Sequence, residues 1–278
     1  MKTINTILAA AMLAMGGVAG AVTVEPLVEL ADVPQAWHPV LNANGSLLLF
    51  TSQDHTGLNC LDMATGHIQL VDNDAAAGFN PIFAADGRTV IYSTAGLDDG
   101  LVVRDLRSFD LTNGQGRRLA PMTRNSVSPR QVDKAPVYAM ADYKTIRVVR
   151  DGKTAELDPI ADSHSYLWAS LSPDGERLLF CEPFKGVFVS NADGTDARRI
   201  AAKGDYPCWA GNHVVVYIVS HDDGYLTLDS TLKATDLRSG ETTDITGADM
   251  LVDQATAAAN GIVVFATSEG KLFKTTVK

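Results

Sequence analysis

The sequence is short of the residues and patterns that mark several common classes of protein. Its 278 residues include three cysteines, too far apart for a metal-ligand spacing or a disulfide framework. Basic residues number 23 against 33 acidic ones, so the net charge is −10 and nucleic acid is a poor partner. We expect Cys60, Cys181 and Cys208 to be small buried or half-buried thiols. A bridge between Cys181 and Cys208 stays open as an alternative.

Motifs for catalysis and cofactor binding are also missing. No Gly-x-Ser-x-Gly elbow, His-Glu-x-x-His pair, Walker-type glycine loop or EF-hand spacing occurs. The acidic pairs Asp98-Asp99 and Asp222-Asp223 are expected to be solvated turn carboxylates, with calcium binding as the alternative. We therefore predict a protein without enzymatic activity, metal or cofactor. The histidines scattered among the predicted loops and strand ends are expected to be structural: His55, His67, His164, His213 and His221.

The first residues predict an export signal. After Lys2, an apolar run from Ile4 leads to Ala19-Gly20-Ala21, a small-x-small cleavage signal. We interpret residues 1–21 as a signal peptide and residues 22–278 as one soluble, monomeric, periplasmic domain. An uncleaved membrane anchor is the alternative, but the run is short and rich in alanine.

A diverged repeat runs along the rest of the chain. Ser165 to Phe180 contains Leu-Ser-Pro-Asp-Gly-Glu-Arg-Leu-Leu-Phe, and Trp37 to Phe50 and Phe79 to Tyr92 keep the same frame around a turn glycine. These glycines, with one more near the C-terminus, are 42, 88 and 86 residues apart, so one repeat is hidden in each larger gap. The period of about 43 residues lies in the range of propeller blades. The turn glycines are Gly45, Gly87, Gly175 and Gly261.

Short apolar or β-branched runs separated by turn residues predict four antiparallel strands in each repeat. No long amphipathic helical pattern occurs, which argues against helical solenoids. The predicted fold is all-β, a six-bladed β-propeller of four-stranded antiparallel blades. In the third blade, Ala135 to Met140 and Thr145 to Val149 are predicted strands, followed by a tight turn at Asp151-Gly152.

The two ends of the chain predict how the ring closes. The last repeat has three strands before the chain ends at Lys278, whereas Val24 to Leu30 forms a strand-like segment without a partner of its own. If this N-terminal strand pairs beside the C-terminal one, it completes the sixth blade and leaves no open sheet edge.

The repeat resembles that of the TolB propeller family. The resemblance rests on Ser-Pro-Asp-Gly at 172–175, Arg-Leu-Leu-Phe at 177–180 and Asn-Ala-Asp-Gly-Thr at 191–195, and copies of this pattern cover the mature chain. Similar repeats occur in the propellers of prolyl-oligopeptidase-type peptidases. TolB proteins are periplasmic and bind other envelope proteins, so the resemblance implies an envelope protein or peptide as partner. The chain has no room for the α/β domain that precedes the propeller in TolB.

We predict a binding site at the mouth of the central channel. The residue immediately before the proline position of the repeat differs between blades, while the framework around it is constant. Residues one position earlier lie near the same rim, including Trp37 and Phe79, whereas Trp209 is expected to be core. The predicted ligand-binding residues are His38, Asn80, Trp168, Asp205, Tyr206, Asp253 and Gln254. Aromatic faces with a few polar groups suit a peptide tail or a sugar.

The sequence leaves three functions open. The first is a non-enzymatic binding protein that captures an envelope protein at the channel mouth or the loop face. The second is a carbohydrate-active enzyme, a glycosidase or lyase, with Asp205 and Asp253 as the candidate axial carboxylates. The third is a sensor for a small ligand.

Overall fold

The structure, a computed structural model, describes residues 22–125, 128–132, 135 and 137–278. The predicted signal peptide, residues 1–21, lies outside the described residues. Short strands in sequential meanders form six antiparallel sheets, which follow one another along the chain as the blades of a propeller. The predicted all-β, six-bladed fold is confirmed. Besides strands and loops, the described residues form a short helix, α1 (Pro129–Val132).

The strands are numbered in chain order. Blade 1 holds β2 (Trp37–Leu41), β3 (Leu47–Thr51), β4 (Leu58–Asp62) and β5 (Ile68–Asp72). Blade 2 holds β6 (Ile82–Phe83), β7 (Thr89–Asp98), β8 (Leu101–Asp110) and β9 (Gln115–Arg118). Blade 3 holds β10 (Val137–Asp142), β11 (Thr145–Arg150) and β12 (Lys153–Leu157). Blade 4 holds β13 (Leu167–Leu171), β14 (Arg177–Glu182), β15 (Gly186–Asn191) and β16 (Arg198–Ala201). Blade 5 holds β17 (Asp205–Ala210), β18 (Val214–Asp222), β19 (Thr227–Asp236) and β20 (Thr242–Asp244). Blade 6 holds β21 (Val252–Ala257), β22 (Ile262–Thr267), β23 (Leu272–Thr276) and the N-terminal β1 (Val28–Glu29).

The N-terminal segment closes the ring, as the sequence predicts. In blade 6, β1 pairs antiparallel with β23, with Val28 opposite Lys274, and Val24 forms a further bridge to Val277. Backbone hydrogen bonds join Thr23 and Lys278 in both directions, at 2.9 and 3.0 Å. The first and last strands of the domain therefore share one sheet, and its outer edge is formed by the N-terminus.

The ring has two distinct faces. One face carries the starts of the innermost strands and the loops between the second and third strands of each blade, and we call it the upper face. One hydrogen bond recurs there between neighbouring blades. The N–H of Ala36, just before β2, donates to the C=O of Gly270 in the β22–β23 turn, and the N–H of Gly78 donates to the C=O of His55 in the β3–β4 loop. The lower face carries the turns that contain the Pro-Asp-Gly signature of the repeat.

Blade 3 departs from the other five. The N–H of Tyr166 donates to the C=O of Tyr143 at 2.7 Å, which repeats the upper-face bond and makes Tyr143 part of a loop between second and third strands. Thus β10 and β11 are the second and third strands of blade 3, and Asp151-Gly152 forms the turn between its third and fourth strands. Arg150, just before this turn, contacts the lower-face turn of blade 4 at Gly175. Among the described residues, the sheet of blade 3 holds three strands, in the order β10, β11 and β12.

Apolar clusters hold neighbouring blades together. Five clusters of buried side chains lie at the junctions 5–6, 6–1, 1–2, 3–4 and 4–5. Trp209, predicted to be core, is 6% exposed in the 4–5 cluster, where its indole N–H donates to the C=O of Ser170. Within the described part of the chain, no such cluster is found between blades 2 and 3.

The three thiols are free, with Cys60 and Cys181 buried and Cys208 partly buried. Burial raises the pKa of each to about 12, so none is a ready nucleophile at neutral pH. The alternative of a Cys181–Cys208 bridge is not observed. Over the described ranges, no helix has the length and apolar content needed to cross a membrane.

Candidate functional site

The predicted site residues occupy an irregular position in the innermost strands. In blades 1, 4, 5 and 6 the pairing between first and second strands shifts register there by one residue, as in a β-bulge. The backbone is left-handed at His38, Asn80, Trp168 and Tyr206, with φ of 49 to 52°. For residues other than glycine this conformation costs about 1–2 kcal/mol, and such strain is concentrated at functional sites. The bulge turns these side chains away from the regular alternation of the strand.

One group of site residues lies on the side of blades 6, 1 and 2. The His38 Nδ1 and the Gln254 Oε1 are 2.7 Å apart in a hydrogen bond. The His38 ring stacks on His55 with centroids 4.0 Å apart, and His55 meets the edge of Phe79 at 5.1 Å. Each of these side chains is half-buried or exposed, so a stack of flat rings borders the mouth.

A second group lies on the side of blades 4, 5 and 6. The rings of Trp168 and Tyr206 are 4.8 Å apart at an angle of 44°. Asp205 precedes Tyr206 in the same strand, and the charge of Asp253 reaches the phenol of Tyr206. The mouth is therefore lined by aromatic faces and carboxylates on this side, and by imidazoles and an amide on the other.

Burial changes the proton affinity of three of these groups. Burial raises the pKa of Asp205. A long hydrogen bond from the Ser220 hydroxyl to the Asp205 carboxylate has the opposite, smaller effect. Burial, together with the charges of Asp253 and Asp205, raises the pKa of Tyr206. Burial and the neighbouring His38 lower the pKa of His55, so this imidazole is mainly neutral at pH 7. The site therefore favours uncharged forms of its half-buried groups.

The inner side of blade 3 opens into a cavity of about 600 Å³. Asn80 of blade 2 and Trp168 of blade 4 line it, together with residues of β10 and the lower-face turn of blade 4. Near that turn, the Arg150 guanidinium donates to the C=O of Gly175 at 2.5 Å. Because Asn80 and Trp168 both line the cavity, it connects predicted site residues of blades 2 and 4.

The structure brings the seven predicted residues to one face, around one opening, but their role in binding stays a prediction. Sequence reasoning missed His55, which was expected to be only structural. It belongs to the polar loop Gln53 to Gly57, and nothing in that loop itself indicates the mouth. The signal was topological, because the loop between second and third strands lies on the same face as the start of the first strand.

Metal chemistry has no evident site in this part of the protein. Within the described residues, no group of three or more His, Cys, Asp or Glu side chains is placed to hold a metal ion. The acidic pairs Asp98-Asp99 and Asp222-Asp223 lie at the ends of hairpins. The carboxylates of Asp222 and Asp223 accept hydrogen bonds from backbone N–H groups of their own turn, which is the behaviour expected of turn residues.

Exposed apolar side chains concentrate on the upper face. All of the most exposed large apolar residues described belong to it except Val28 and Leu70, which lie on outer strands. A soluble surface seldom gathers such residues on one side unless that side binds something. The upper-face set is Phe79, Leu97, Leu101, Val102, Met122, Tyr143, Leu167, Phe184, Tyr225, Leu226 and Leu228.

Comparison with known proteins gives likeness in structure and none in sequence. No protein-family model and no curated protein matches the chain. The β-propeller domain of Cps50 (Swd1) from Myceliophteria thermophila is similar with a TM-score of 0.60 and 11% identity, over 93% of this chain and 100% of that one. Virginiamycin B lyase from Staphylococcus aureus is similar with a TM-score of 0.54 and 11% identity, over 92% and 99% of the two chains.

A putative TolB from Agrobacterium tumefaciens is similar with a TM-score of 0.51 and 15% identity, over 91% of this chain and 96% of that one. Identities this low show a shared fold and leave function open. The resemblance indicated by the Ser-Pro-Asp-Gly repeat is confirmed at this level: the chain has the fold of a TolB-like six-bladed β-propeller.

Proposed function

We propose that the protein is an exported, non-enzymatic propeller that binds an envelope protein or peptide on its upper face. The observation that supports this most is the concentration of exposed apolar side chains on the face that carries the channel mouth. Aromatic residues such as Phe184, 79% exposed, and Tyr225, 95% exposed, are the types enriched at protein interfaces.

The mouth adds the polar groups that fix the orientation of a bound chain. Stacked rings at His38 and His55, and at Trp168 and Tyr206, offer flat apolar surfaces. The Gln254 amide and the carboxylates of Asp205 and Asp253 offer hydrogen-bond partners beside them. A peptide tail needs this combination, because its side chains stack while its backbone N–H groups seek acceptors.

The location in the periplasm follows from the N-terminal leader, residues 1–21, with its small-x-small signal at 19–21. A putative TolB is among the proteins of similar fold, which supports a protein partner as the class of ligand. Mass determination of the protein from a periplasmic fraction tests the location. A mature chain that still carries residues 1–21 would contradict it.

A pull-down from envelope extract tests the binding role. The immobilised wild type is compared with a Trp168→Ala and Tyr206→Ala double variant and with a Phe184→Ala and Tyr225→Ala double variant. Leu70→Ala is the matched control, because Leu70 is 55% exposed but lies on an outer strand away from the upper face. We expect a specific protein band with the wild type and the control, and its loss with either double variant. Equal capture by all four proteins would refute the proposal.

A second candidate, a carbohydrate-active enzyme, is favoured by one observation. The Asp205 carboxyl has a raised pKa next to the aromatic pair at the mouth, as a general acid requires. Its partner would be Asp253. Turnover of any member of a polysaccharide panel, abolished by Asp205→Ala and by Asp253→Ala, would replace the binding proposal with this one.

A further inference from the structure

The hairpin formed by the second and third strands is longer in blades 2 and 5 than in the other blades. The pairs β7–β8 and β18–β19 run for nine or ten residues on each strand, and the matching pairs in blades 1, 3, 4 and 6 run for five or six. Four additional residues at about 3.3 Å each extend a hairpin by roughly 13 Å. Both extensions are at the upper face, since the loops between second and third strands lie there. We call them the blade 2 arm, residues 95–104, and the blade 5 arm, residues 220–230.

The two arms stand on opposite sides of the channel mouth. In a ring of six blades, blades 2 and 5 are three positions apart in either direction, which is half a turn. The mouth with its aromatic and carboxylate groups lies between the arms. A ligand that touches both arms must therefore cross the opening.

The tips of both arms have the same chemistry, although their sequences differ. In the blade 2 arm, Leu97 is paired across the hairpin with Val102, and the two are 76% and 52% exposed. In the blade 5 arm, Leu226 and Leu228 are 69% and 61% exposed. These leucines and the valine project into water, where each loses the free energy that burial would provide.

Acidic residues accompany the apolar ones, and basic residues are absent from both tips. Asp98 and Asp99 form the turn of the blade 2 arm. Asp222, Asp223 and Asp229 belong to the blade 5 arm, and Asp229 is bonded to His221 at 2.7 Å. Neither segment 97–102 nor segment 222–229 contains a lysine or arginine. The charge of the tips is complementary to a basic ligand.

We propose that the two arms together hold an extended polypeptide segment with apolar and basic side chains, which lies across the channel mouth. This inference rests on the proposed binding function and names the chemistry of its partner. The apolar side chains of the segment cover the leucines of each tip, and its lysines or arginines face the aspartates. Two weak contacts joined through one ligand reinforce each other, because binding to the first arm raises the effective concentration at the second.

The probe is a fluorescein-labelled peptide of alternating lysine and leucine, measured by anisotropy. Peptides of roughly 6, 12 and 18 residues are compared, since an extended chain spans at most about 3.3–3.6 Å per residue. We expect affinity to rise steeply once the peptide reaches both arms. A peptide of alternating glutamate and leucine should bind much more weakly, and equal binding of the two peptides would overturn the proposal.

Three exposed leucines provide matched substitutions. Leu97→Ser and Leu226→Ser each remove one arm contact, and Leu70→Ser, on the outer strand of blade 1, is the control. For the longest peptide, each arm variant should lower affinity about tenfold, and the double variant should lose little more, because either change already abolishes bridging. The control should bind like the wild type. Variants that change stoichiometry without changing affinity would show two independent sites and refute the bridging arrangement.

The same variants separate this inference from the broader one. If the Trp168 and Tyr206 variant loses capture from extract while the lysine-leucine peptides fail to bind any form, the arm proposal is wrong and the binding function stands. Self-association of the wild type in sedimentation velocity, lost in the Leu97→Ser and Leu226→Ser double variant, would identify the occupant as a second copy and also overturn the proposal. Melting curves of the variants should match the wild type, since all three leucines are exposed.

Discussion

Replacing Gly270 by alanine should lower the free energy of unfolding by weakening the junction between blades 6 and 1. Two causes contribute, backbone strain and a steric collision, and they can be measured separately. Gly270 has a φ of +75° in the β22–β23 turn. Its C=O accepts the N–H of Ala36 at 2.8 Å, and a Cβ added there would lie 2.6 Å from ring atoms of Trp37. Alanine is therefore strained in its backbone and also collides with an aromatic ring.

The size of the effect follows from these two contributions. A left-handed alanine costs about 1–2 kcal/mol, of which about 0.4–1 kcal/mol is offset by the smaller entropy of the unfolded chain. Displacing the Trp37 ring is an overpacking change that costs about 1–3 kcal/mol. We expect Gly270→Ala to lower the free energy of unfolding by about 2–4 kcal/mol in total.

Gly66→Ala is the matched control, because Gly66 has a φ of +74° and no atom within 4 Å of the added Cβ. It should cost about 1 kcal/mol, the backbone contribution alone. Urea unfolding followed by tryptophan fluorescence and by circular dichroism measures both variants. In a Trp37→Ala background, Gly270→Ala should cost no more than Gly66→Ala. Equal losses for the two glycine variants in the wild-type background would refute the assigned collision.

Three further predictions concern the mouth and the ring closure. At Asn80, which is exposed and left-handed, Asn80→Gly should be more stable than Asn80→Ala by about 1 kcal/mol in urea unfolding, and equal stability would contradict the strain assigned to the bulge. Burial raises the pKa of Asp205, so its ionised form opposes folding; this penalty is complete above the raised native pKa and is lost as the pH falls from there to the unfolded pKa. Asp205→Asn should therefore raise the melting temperature at pH 7 and leave it unchanged near the acid limit, and no gain at pH 7 would show that the carboxyl is not destabilised. Deleting residues 22–30 removes the outer strand of blade 6 and should lower the melting temperature in a single cooperative transition, whereas an unchanged temperature would be inconsistent with closure by β1.

The sequence predicts the ring well because each blade repeats the same local pattern. A turn glycine followed by an apolar run, as at Gly175 and Leu178 to Phe180, specifies a hairpin with short-range information alone. The closure by β1 was also predictable, since an unpaired strand at one end matched a missing strand at the other. Both inferences depend on the number and order of strands, which can be recognised even where the side chains of the repeat have diverged.

The site was predictable in position but not in detail. The position before the repeat's proline, occupied by His38 in blade 1 and Trp168 in blade 4, differs between blades. A position that varies within a constant framework is not required by the fold and is therefore a candidate for function. The left-handed backbone at Trp168 and Tyr206 could not be predicted from the residues, since bulky aromatic side chains are not typical of that conformation. The partners across the mouth, such as His55, depend on which loops share a face, and that is a property of the assembled ring.

Two strands and a tight turn of blade 3 were predicted and are present as β10, β11 and Asp151-Gly152, but their place within the blade could not be predicted. Its turn at Asp151-Gly152 has the residues of a tight hairpin, but the sequence does not say which pair of strands the turn joins. The hydrogen bond from Tyr166 to Tyr143 decides it, and that bond links residues from two blades. Long-range contacts of this kind require the fold to be known first.

The closure of the ring makes one blade depend on both ends of the domain. The ends of the chain meet in blade 6, where β1 pairs with β23 and the sheet lies between two apolar clusters. Bringing these ends together closes a loop of nearly the whole domain, which is the largest loop-closure entropy in the fold. Blade 6 can therefore be completed only when the other blades have brought the two ends close together.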